Sequence, residues 1–186
     1  MRNYWSLVFP ILIVFSGSSW GEVTLRGKPL TLIGKKIELG EPLPILQLPD
    51  LSLNLIDLQS LRGKVTVLSV VPSLDTPTCD KQTHILSEES KGLHKSANLV
   101  TISRDLPFAQ ARFAKKTEMQ NILFLSDYRD GEFGKSTGLL IKENRLLTRA
   151  IIVLDREGII RYIEVVSELA RLPEMEKAFD FAQSLL

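Results

Sequence analysis

The segment KVTVLSVVP, from Lys64 to Pro72, constrains the fold more than any other part of this chain. Its β-branched apolar residues follow one another without alternation, which is typical of a strand buried on both faces in a mainly parallel sheet. Pro72 ends this run, and Thr76 and Pro77 then provide the N-cap and the first position of a helix. The sequence therefore predicts an α/β domain in which a central strand leads into a helix.

The segments that follow repeat this strand and helix pattern. NLVTIS and NILFLSD are predicted strands, and the segment between them, DLPFAQARFAKK, is a predicted helix opened by Asp105 and Pro107. Strands that alternate with helices in this way imply right-handed parallel crossovers. Further along, RAIIVLDREGIIRYIEVV predicts an antiparallel hairpin that turns at residues 155–158.

The two ends of the predicted domain add a hairpin and a helix. EVTLRGKPLTLIG alternates apolar and polar residues around Gly27 and Lys28, which indicates an N-terminal β-hairpin. LPEMEKAFDFAQSLL has the period of an amphipathic helix that packs on the sheet. We therefore predict one domain over residues 22–186, with a mixed central sheet that is parallel in the middle and has flanking helices.

Residues 1–21 have the features of a secretory signal peptide. Arg2 precedes an apolar stretch from Tyr4 to Phe15, and the small residues Ser19 and Gly21 suit cleavage before Glu22. The apolar stretch is shorter than the ~20 residues that a membrane-spanning helix needs, so cleavage is favoured over an uncleaved anchor. We therefore expect the mature protein in the periplasm or otherwise exported.

The charge of the chain argues against nucleic acid as a partner. The formal net charge is +1, and no segment is rich in Lys and Arg. Without residues 1–21 the chain has 22 basic and 22 acidic side chains, so long-range steering of a charged ligand is not expected.

Cys79 is the only cysteine of the chain and falls in the first turn of the helix predicted after Thr76. It has no partner for an internal disulfide, although exported proteins usually pair their cysteines. A lone cysteine is often a buried apolar residue. At a helix N-terminus, however, free N–H groups and the helix dipole favour the nucleophilic thiolate. With the Thr76 hydroxyl and with Pro72, which limits water, this position suits a peroxide.

This motif, PSLDTPTCDKQT, resembles the peroxidatic loop of the peroxiredoxins. Four longer segments resemble the bacterial thiol peroxidase branch of that family: VTLRGKPLTLIG, SRDLPFAQARF, LSDYRDGEFGKSTGLLIKE and LLTRAIIVLD. The resemblance extends over residues 23–178. It implies a thioredoxin-like fold, an antioxidant peroxidase that reduces hydrogen peroxide or organic hydroperoxides, and a homodimer packed near the active-site face.

The resemblance also implies roles for individual residues. Cys79 corresponds to the peroxidatic cysteine, Thr76 and Pro72 to its motif partners, and Arg149 to the arginine that stabilises the thiolate and the peroxide. These four residues are the predicted catalytic set. Neither a cofactor nor a metal ion is predicted.

Ala114 marks a departure from the family, because thiol peroxidases usually carry a second, resolving cysteine at this position. With one sulfur, the chemistry stops at the sulfenic acid of Cys79 unless another thiol condenses with it. We therefore predict a one-cysteine cycle that needs an external reductant. The candidates are a small thiol, an exported thioredoxin-like protein or Cys79 of a second chain.

Two other functions remain open at this point. The same scaffold could be a redox sensor without turnover, or a binding module. A thiol–disulfide exchange protein is disfavoured, because the chain has no Cys-x-x-Cys motif. Arg149 could instead pair with Asp127 or Asp130, since a partly buried arginine usually has an acidic partner.

Aromatic and histidine residues near the motif give weaker indications. Phe108, Phe113 and Phe133 could line a pocket for an alkyl hydroperoxide or a dimer face, although aromatics at helical spacing are more often core residues. His84 and His94 are predicted to lie on the surface or on the flank of a helix.

Overall fold

The structure is a computed structural model and describes residues 20–186, so residues 1–19 of the predicted signal peptide lie outside the described part. The strands are β1 (Val23–Leu25), β2 (Lys28–Leu30), β3 (Leu32–Ile33), β4 (Gln47–Pro49), β5 (Leu55–Asp57), β6 (Thr66–Val70), β7 (Asn98–Ser103), β8 (Leu123–Ser126), β9 (Leu140–Ile141), β10 (Ala150–Leu154) and β11 (Ile160–Val165). The α-helices are α1 (Pro77–Glu88), α2 (Pro107–Lys116), α3 (Glu132–Thr137) and α4 (Met175–Ser184). Within residues 20–186, no helix is both long and apolar enough to cross a membrane.

The central sheet has five strands in the order β11-β10-β6-β7-β8. The pairs β6–β7 and β7–β8 are parallel, whereas β10 is antiparallel to both β6 and β11. The predicted mixed sheet is therefore confirmed, and β6 is its middle strand. The expectation that the sheet is parallel in the middle is wrong, because the parallel pairs extend from β6 to the β8 edge and β6 is antiparallel to β10. Every residue of β6 is buried, as its unbroken apolar sequence predicted.

Alternate residues of β6 face two different hydrophobic cores. Val67 belongs to the core under α1, α2 and α4, together with Ala114 and Phe179. Leu68 points to the opposite face and packs in a second core with Phe133 of α3 and Leu48 of β4. Because both faces are covered, a strand of branched apolar residues is stable in this place.

The helices that follow β6 and β7, α1 and α2, each begin at a proline. The predicted start of α1 is confirmed. Thr76 is the N-cap of α1 and Pro77 is its first residue. The start predicted for α2 is partly wrong, because Leu106 and not Asp105 occupies the N-cap before Pro107. The Asp105 carboxylate is turned away from α2 and binds the loop before α1.

The predicted N-terminal hairpin is present as β1 and β2, and its turn lies one residue earlier than predicted. Arg26 and Gly27 form the turn with φ angles of 51° and 75°. Positive φ at both turn residues matches the right-handed twist of the two strands.

Glu168 fastens this hairpin to the segment after β11. Its carboxylate accepts hydrogen bonds from the backbone N–H groups of Arg26, Gly27 and Ala170 and from the Thr24 hydroxyl. These bonds, with the Arg26 N–H foremost, lower the pKa of Glu168 from 4.5 to about 2. A charged Glu168 therefore stabilises the docked hairpin.

We expect this contact to make stability depend on pH. A carboxyl group whose pKa is lower in the folded state stabilises the fold above its unfolded pKa and loses that contribution as pH falls to its folded pKa. The melting temperature should therefore fall from about pH 4.5 to about pH 2, and less steeply in Glu168→Gln. Scanning calorimetry across this range tests it, with Glu157→Gln as the control at an exposed site. Identical profiles for Glu168→Gln and the wild type would contradict it.

Candidate active site

Cys79 is the third residue of α1, and its side chain is completely buried. The Thr76 hydroxyl does not cap the helix but donates a hydrogen bond to the carbonyl of Ser73, at 2.9 Å. The N–H groups of the first turn are thus left without a side-chain cap beside the sulfur. Free N–H groups at a helix start favour negative charge nearby.

Arg149, the residue before β10, contacts the sulfur directly. Its Nη2 lies 3.3 Å from Cys79 Sγ, its Nη1 donates to Gln82 Oε1 at 2.7 Å, and its Nε donates to the carbonyl of Leu169 at 2.9 Å. The side chain is only 2% exposed. Among the described residues no carboxylate forms an ion pair with Arg149, so the alternative pairing with Asp127 or Asp130 is wrong.

This environment favours an anion at Cys79. A buried guanidinium whose other partners are neutral oxygens gains most from a negative charge at its remaining contact, which here is the sulfur. The same guanidinium could also stabilise a second anion beside the sulfur, such as the oxygen that leaves when a peroxide bond breaks. The pair can therefore support nucleophilic attack by sulfur.

Gln82 completes this arrangement and was missed by the sequence analysis. It is fully buried, and its Nε2 donates to Ser69 Oγ at 2.8 Å and to the Ala150 carbonyl at 3.4 Å, while its Oε1 accepts from Arg149. Gln82 thereby fixes the guanidinium relative to β6 and β10. Its spacing of three residues from Cys79 places both on one helix face, a signal that could have identified it.

Asp105 holds the loop that leads into α1. Its carboxylate accepts hydrogen bonds from Ser73 Oγ at 2.7 Å, from the Leu74 N–H at 2.8 Å and from Ser103 Oγ at 2.7 Å. Since Thr76 is in turn bonded to the Ser73 carbonyl, the loop is anchored to the end of β7. From its sequence context, Asp105 was predicted only to open a helix.

Neither Pro72 nor Thr76 forms a hydrogen bond with the Cys79 sulfur. Pro72 is buried at the end of β6 and has no N–H to donate, whereas Thr76 is exposed. The structure thus brings Cys79 and Arg149 into contact, whereas Pro72 and Thr76 are hydrogen-bonded to neither of them. Their catalytic roles remain predictions.

The three phenylalanines proposed for a pocket or dimer face lie in different environments. Phe133 is fully buried in a core. Phe113 packs edge-on against Phe124, with ring centroids 6.2 Å apart, and its other side lines a groove beside α1. Phe108 is 57% exposed. They therefore do not form one common pocket.

Both histidines lie at the surface, as predicted. His84 is held between two acids of its own helix, with Nδ1 2.8 Å from Glu88 Oε1 and Nε2 3.2 Å from Asp80 Oδ1. His94 is exposed in the short turn before β7. In the described part of the chain, no group of three or more His, Cys, Asp or Glu residues is placed to hold a metal ion.

The Asp127 carboxylate binds backbone N–H groups in the first turn of α3. It accepts hydrogen bonds from the Phe133 and Gly134 N–H groups at 3.0 and 3.1 Å. Burial raises the pKa of Asp127, and these two bonds oppose that effect. The loop around it is closed by Arg104, which donates to the carbonyl of Tyr128.

Comparison with known proteins agrees with this geometry. Residues 38–179 match the Redoxin family. Over 165 residues the chain is 42% identical to a thiol peroxidase of Bacillus subtilis. The alignment covers 89% of this chain and 98% of that relative. The chain belongs to the thiol peroxidase branch of the peroxiredoxin family. Cys79, the single sulfur nucleophile available to this family member, fits a one-cysteine cycle.

Solved structures of family members have the same fold. A peroxiredoxin-like protein from Aquifex aeolicus superposes with a TM-score of 0.83 and 31% identity, over 89% of this chain and 97% of that one. A thiol peroxidase from Chromobacterium violaceum gives a TM-score of 0.76 at 23% identity, over 88% and 95%. The thioredoxin-like fold implied by the sequence resemblance is thus confirmed.

Loss of the Gln82 side-chain amide should slow oxidation of Cys79. In Gln82→Leu the guanidinium loses an acceptor and its fixed direction toward the sulfur, so we expect the second-order rate with hydrogen peroxide to fall roughly tenfold or more. Quenched-flow mass spectrometry of the Cys79 product measures this rate. Thr83→Val is the matched control, because Thr83 is also buried in α1 but bonds only the Cys79 carbonyl. Equal rates in both variants would contradict the positioning role of Gln82.

Proposed function

We propose that the protein is an exported thiol-dependent peroxidase that reduces hydrogen peroxide or organic hydroperoxides with Cys79 as its nucleophile. The observation that carries this proposal is the buried guanidinium of Arg149, 3.3 Å from Cys79 Sγ and without an acidic partner among the described residues. Membership of the thiol peroxidase branch supports the same reaction.

In the first step the Cys79 thiolate attacks one peroxide oxygen. The O–O bond breaks, the sulfur becomes a sulfenic acid, and the second oxygen leaves with a negative charge that a proton from solvent neutralises. Arg149 stabilises the thiolate and then the leaving oxygen, and Gln82 keeps it in place. Thr76 orients the peroxide, and Pro72 limits the access of water.

In the second step an external thiol restores Cys79. Ala114 offers no sulfur at the family's resolving position, so a thiolate from outside attacks the sulfenic sulfur and expels hydroxide. A second thiol then breaks the mixed disulfide and releases Cys79. In sum, one peroxide and two thiols give an alcohol or water, a disulfide and water.

The reaction can be followed in two measurements on the mature protein. We expect hydrogen peroxide or cumene hydroperoxide to oxidise Cys79 rapidly, and added thiol to reverse this oxidation. Mass spectrometry of the Cys79 product measures both reactions. Cys79→Ser should consume no peroxide, and Arg149→Met should react roughly a hundredfold more slowly or worse. Oxidation at the rate of an ordinary free thiol would refute the peroxidase. Fast oxidation that no thiol reverses would instead favour a redox sensor.

We also propose that export removes residues 1–21. The basic start, the short apolar stretch and the small residues before Glu22 support cleavage at this point. The reductant would then be a thiol present outside the cytoplasm.

We further propose a homodimer that packs near the active-site face. Leu106 and Phe108, at the start of α2, are 52% and 57% exposed. They adjoin Asp105, which holds the loop before Cys79. Exposed large apolar side chains grouped in this way are typical of protein interfaces.

Native mass spectrometry of protein recovered from the exported fraction tests both proposals at once. We expect a subunit mass without residues 1–21 and a predominant dimer that dissociates in Phe108→Glu. Leu53→Glu is the control, because Leu53 is also an exposed apolar residue. Phe113 is half-buried and therefore less suitable for this comparison. A full-length subunit would refute cleavage, and a monomeric wild type would refute the dimer.

A further inference from the structure

A groove of about 710 Å³ runs between α1 and α2 beside the Cys79 loop. One wall is formed by Thr76, Asp80 and other residues of the α1 side, and the other by Arg112 and Lys116 of α2. Since Thr76 and Asp80 bracket Cys79 in the first turn of α1, the groove lies on the outer side of the turn that carries the buried sulfur. Its volume falls in the range of small-molecule sites.

Ala114, where a resolving sulfur is missing, does not line this groove. Ala114 is on the same turns of α2 as Arg112 and Lys116, and it is buried in the same core as Cys79. A thiol held in the groove would therefore lie outside the first turn of α1, whereas Cys79 and Ala114 face the core. Cys79 itself is fully buried, so the first turn of α1 must open before any outside thiol reaches it.

The charges of the groove indicate what it could hold. Arg112 and Lys116 are exposed and one helical turn apart, and neither forms an ion pair with another described residue. The opposite wall carries the carboxylates of Asp75 and Asp80. Glu118 and His84 also line the groove, and His84 already contacts Asp80. The two cations without an ion-pair partner among the described residues, with the acids opposite them, complement a ligand that has both carboxylate and amino groups.

We infer that this groove binds a small thiol of the amino-acid or peptide type, which reduces the Cys79 sulfenic acid. The inference rests on the proposed peroxidase function and adds the site and the chemical class of the reductant. The carboxylate of the thiol binds Arg112 and Lys116, and its amino group faces Asp75 and Asp80. A ligand of this size fits a groove of about 710 Å³.

The bound thiol completes the second step of the cycle. Its thiolate forms a bond to the sulfenic sulfur of Cys79, and the S–OH bond breaks to release hydroxide, which takes up the thiol proton as water. A second molecule of the same thiol attacks the mixed disulfide and leaves with its partner as the oxidised disulfide. Cys79 returns as a thiolate, and no other oxidant or reductant is needed.

Reduction of preformed sulfenic acid tests this site. Mature protein is oxidised with one equivalent of hydrogen peroxide and then mixed with glutathione, with 2-mercaptoethanol or with cysteamine. Neither of the last two thiols has a carboxylate. We expect the reduction rate per thiolate to be at least about tenfold higher for glutathione than for 2-mercaptoethanol or cysteamine. The rate with glutathione should also saturate as its concentration rises. In Arg112→Glu/Lys116→Glu the glutathione rate should fall about tenfold, with the 2-mercaptoethanol rate and the oxidation by peroxide unchanged.

Lys115→Glu is the matched control, because Lys115 lies on α2 between these residues but outside the groove. Its glutathione rate should equal that of the wild type. No preference for glutathione over 2-mercaptoethanol, or an equal loss in Lys115→Glu, would overturn the site while leaving the peroxidase intact. Faster reduction by an exported dithiol protein alone, without saturation by glutathione, would overturn it as well. Slow first oxidation of the wild type would refute the peroxidase itself and the site with it.

Discussion

The contact between the Arg149 guanidinium and the Cys79 sulfur is the interaction on which the rest of the site depends. Burying a cation is costly unless every N–H group has an acceptor. Here the acceptors come from three separate parts of the chain, since Gln82 lies on α1, Leu169 follows β11, and the third partner is the sulfur. The fold must bring these parts together before the thiolate has a counter-charge.

Two hydrogen-bond networks divide this task between them. The network of Arg149, Gln82 and Ser69 fixes the cation relative to the central sheet. The bonds from Asp105 to Ser73 and Leu74 fix the loop that carries the first turn of α1. With both networks formed, the Cys79 sulfur is fully buried. In the proposed cycle, a thiol reaches the sulfur only after the first turn of α1 opens.

A single sulfur makes this opening decisive. When a resolving cysteine is present, the oxidised sulfur meets a partner within the same chain. In the proposed cycle, with alanine at residue 114, the lifetime of the sulfenic acid depends on how quickly a thiol from outside arrives, and an excess of peroxide carries a long-lived sulfenic acid to sulfinic acid. A groove that concentrates thiol beside the loop would shorten this exposure.

Local sequence rules alone determined the parts of the fold that depend on near neighbours. The branched apolar run predicted β6, and Thr76 and Pro77 predicted the start of α1, because side-chain burial and proline geometry act within a few residues. The link between Cys79 and Arg149 spans 70 residues and entered only through family resemblance. The acceptor role of Gln82 and the true partners of Asp105 were decided by the tertiary structure. Hydrogen bonds between distant segments leave no period in the sequence, and only the packed sheet brings their donors and acceptors within reach.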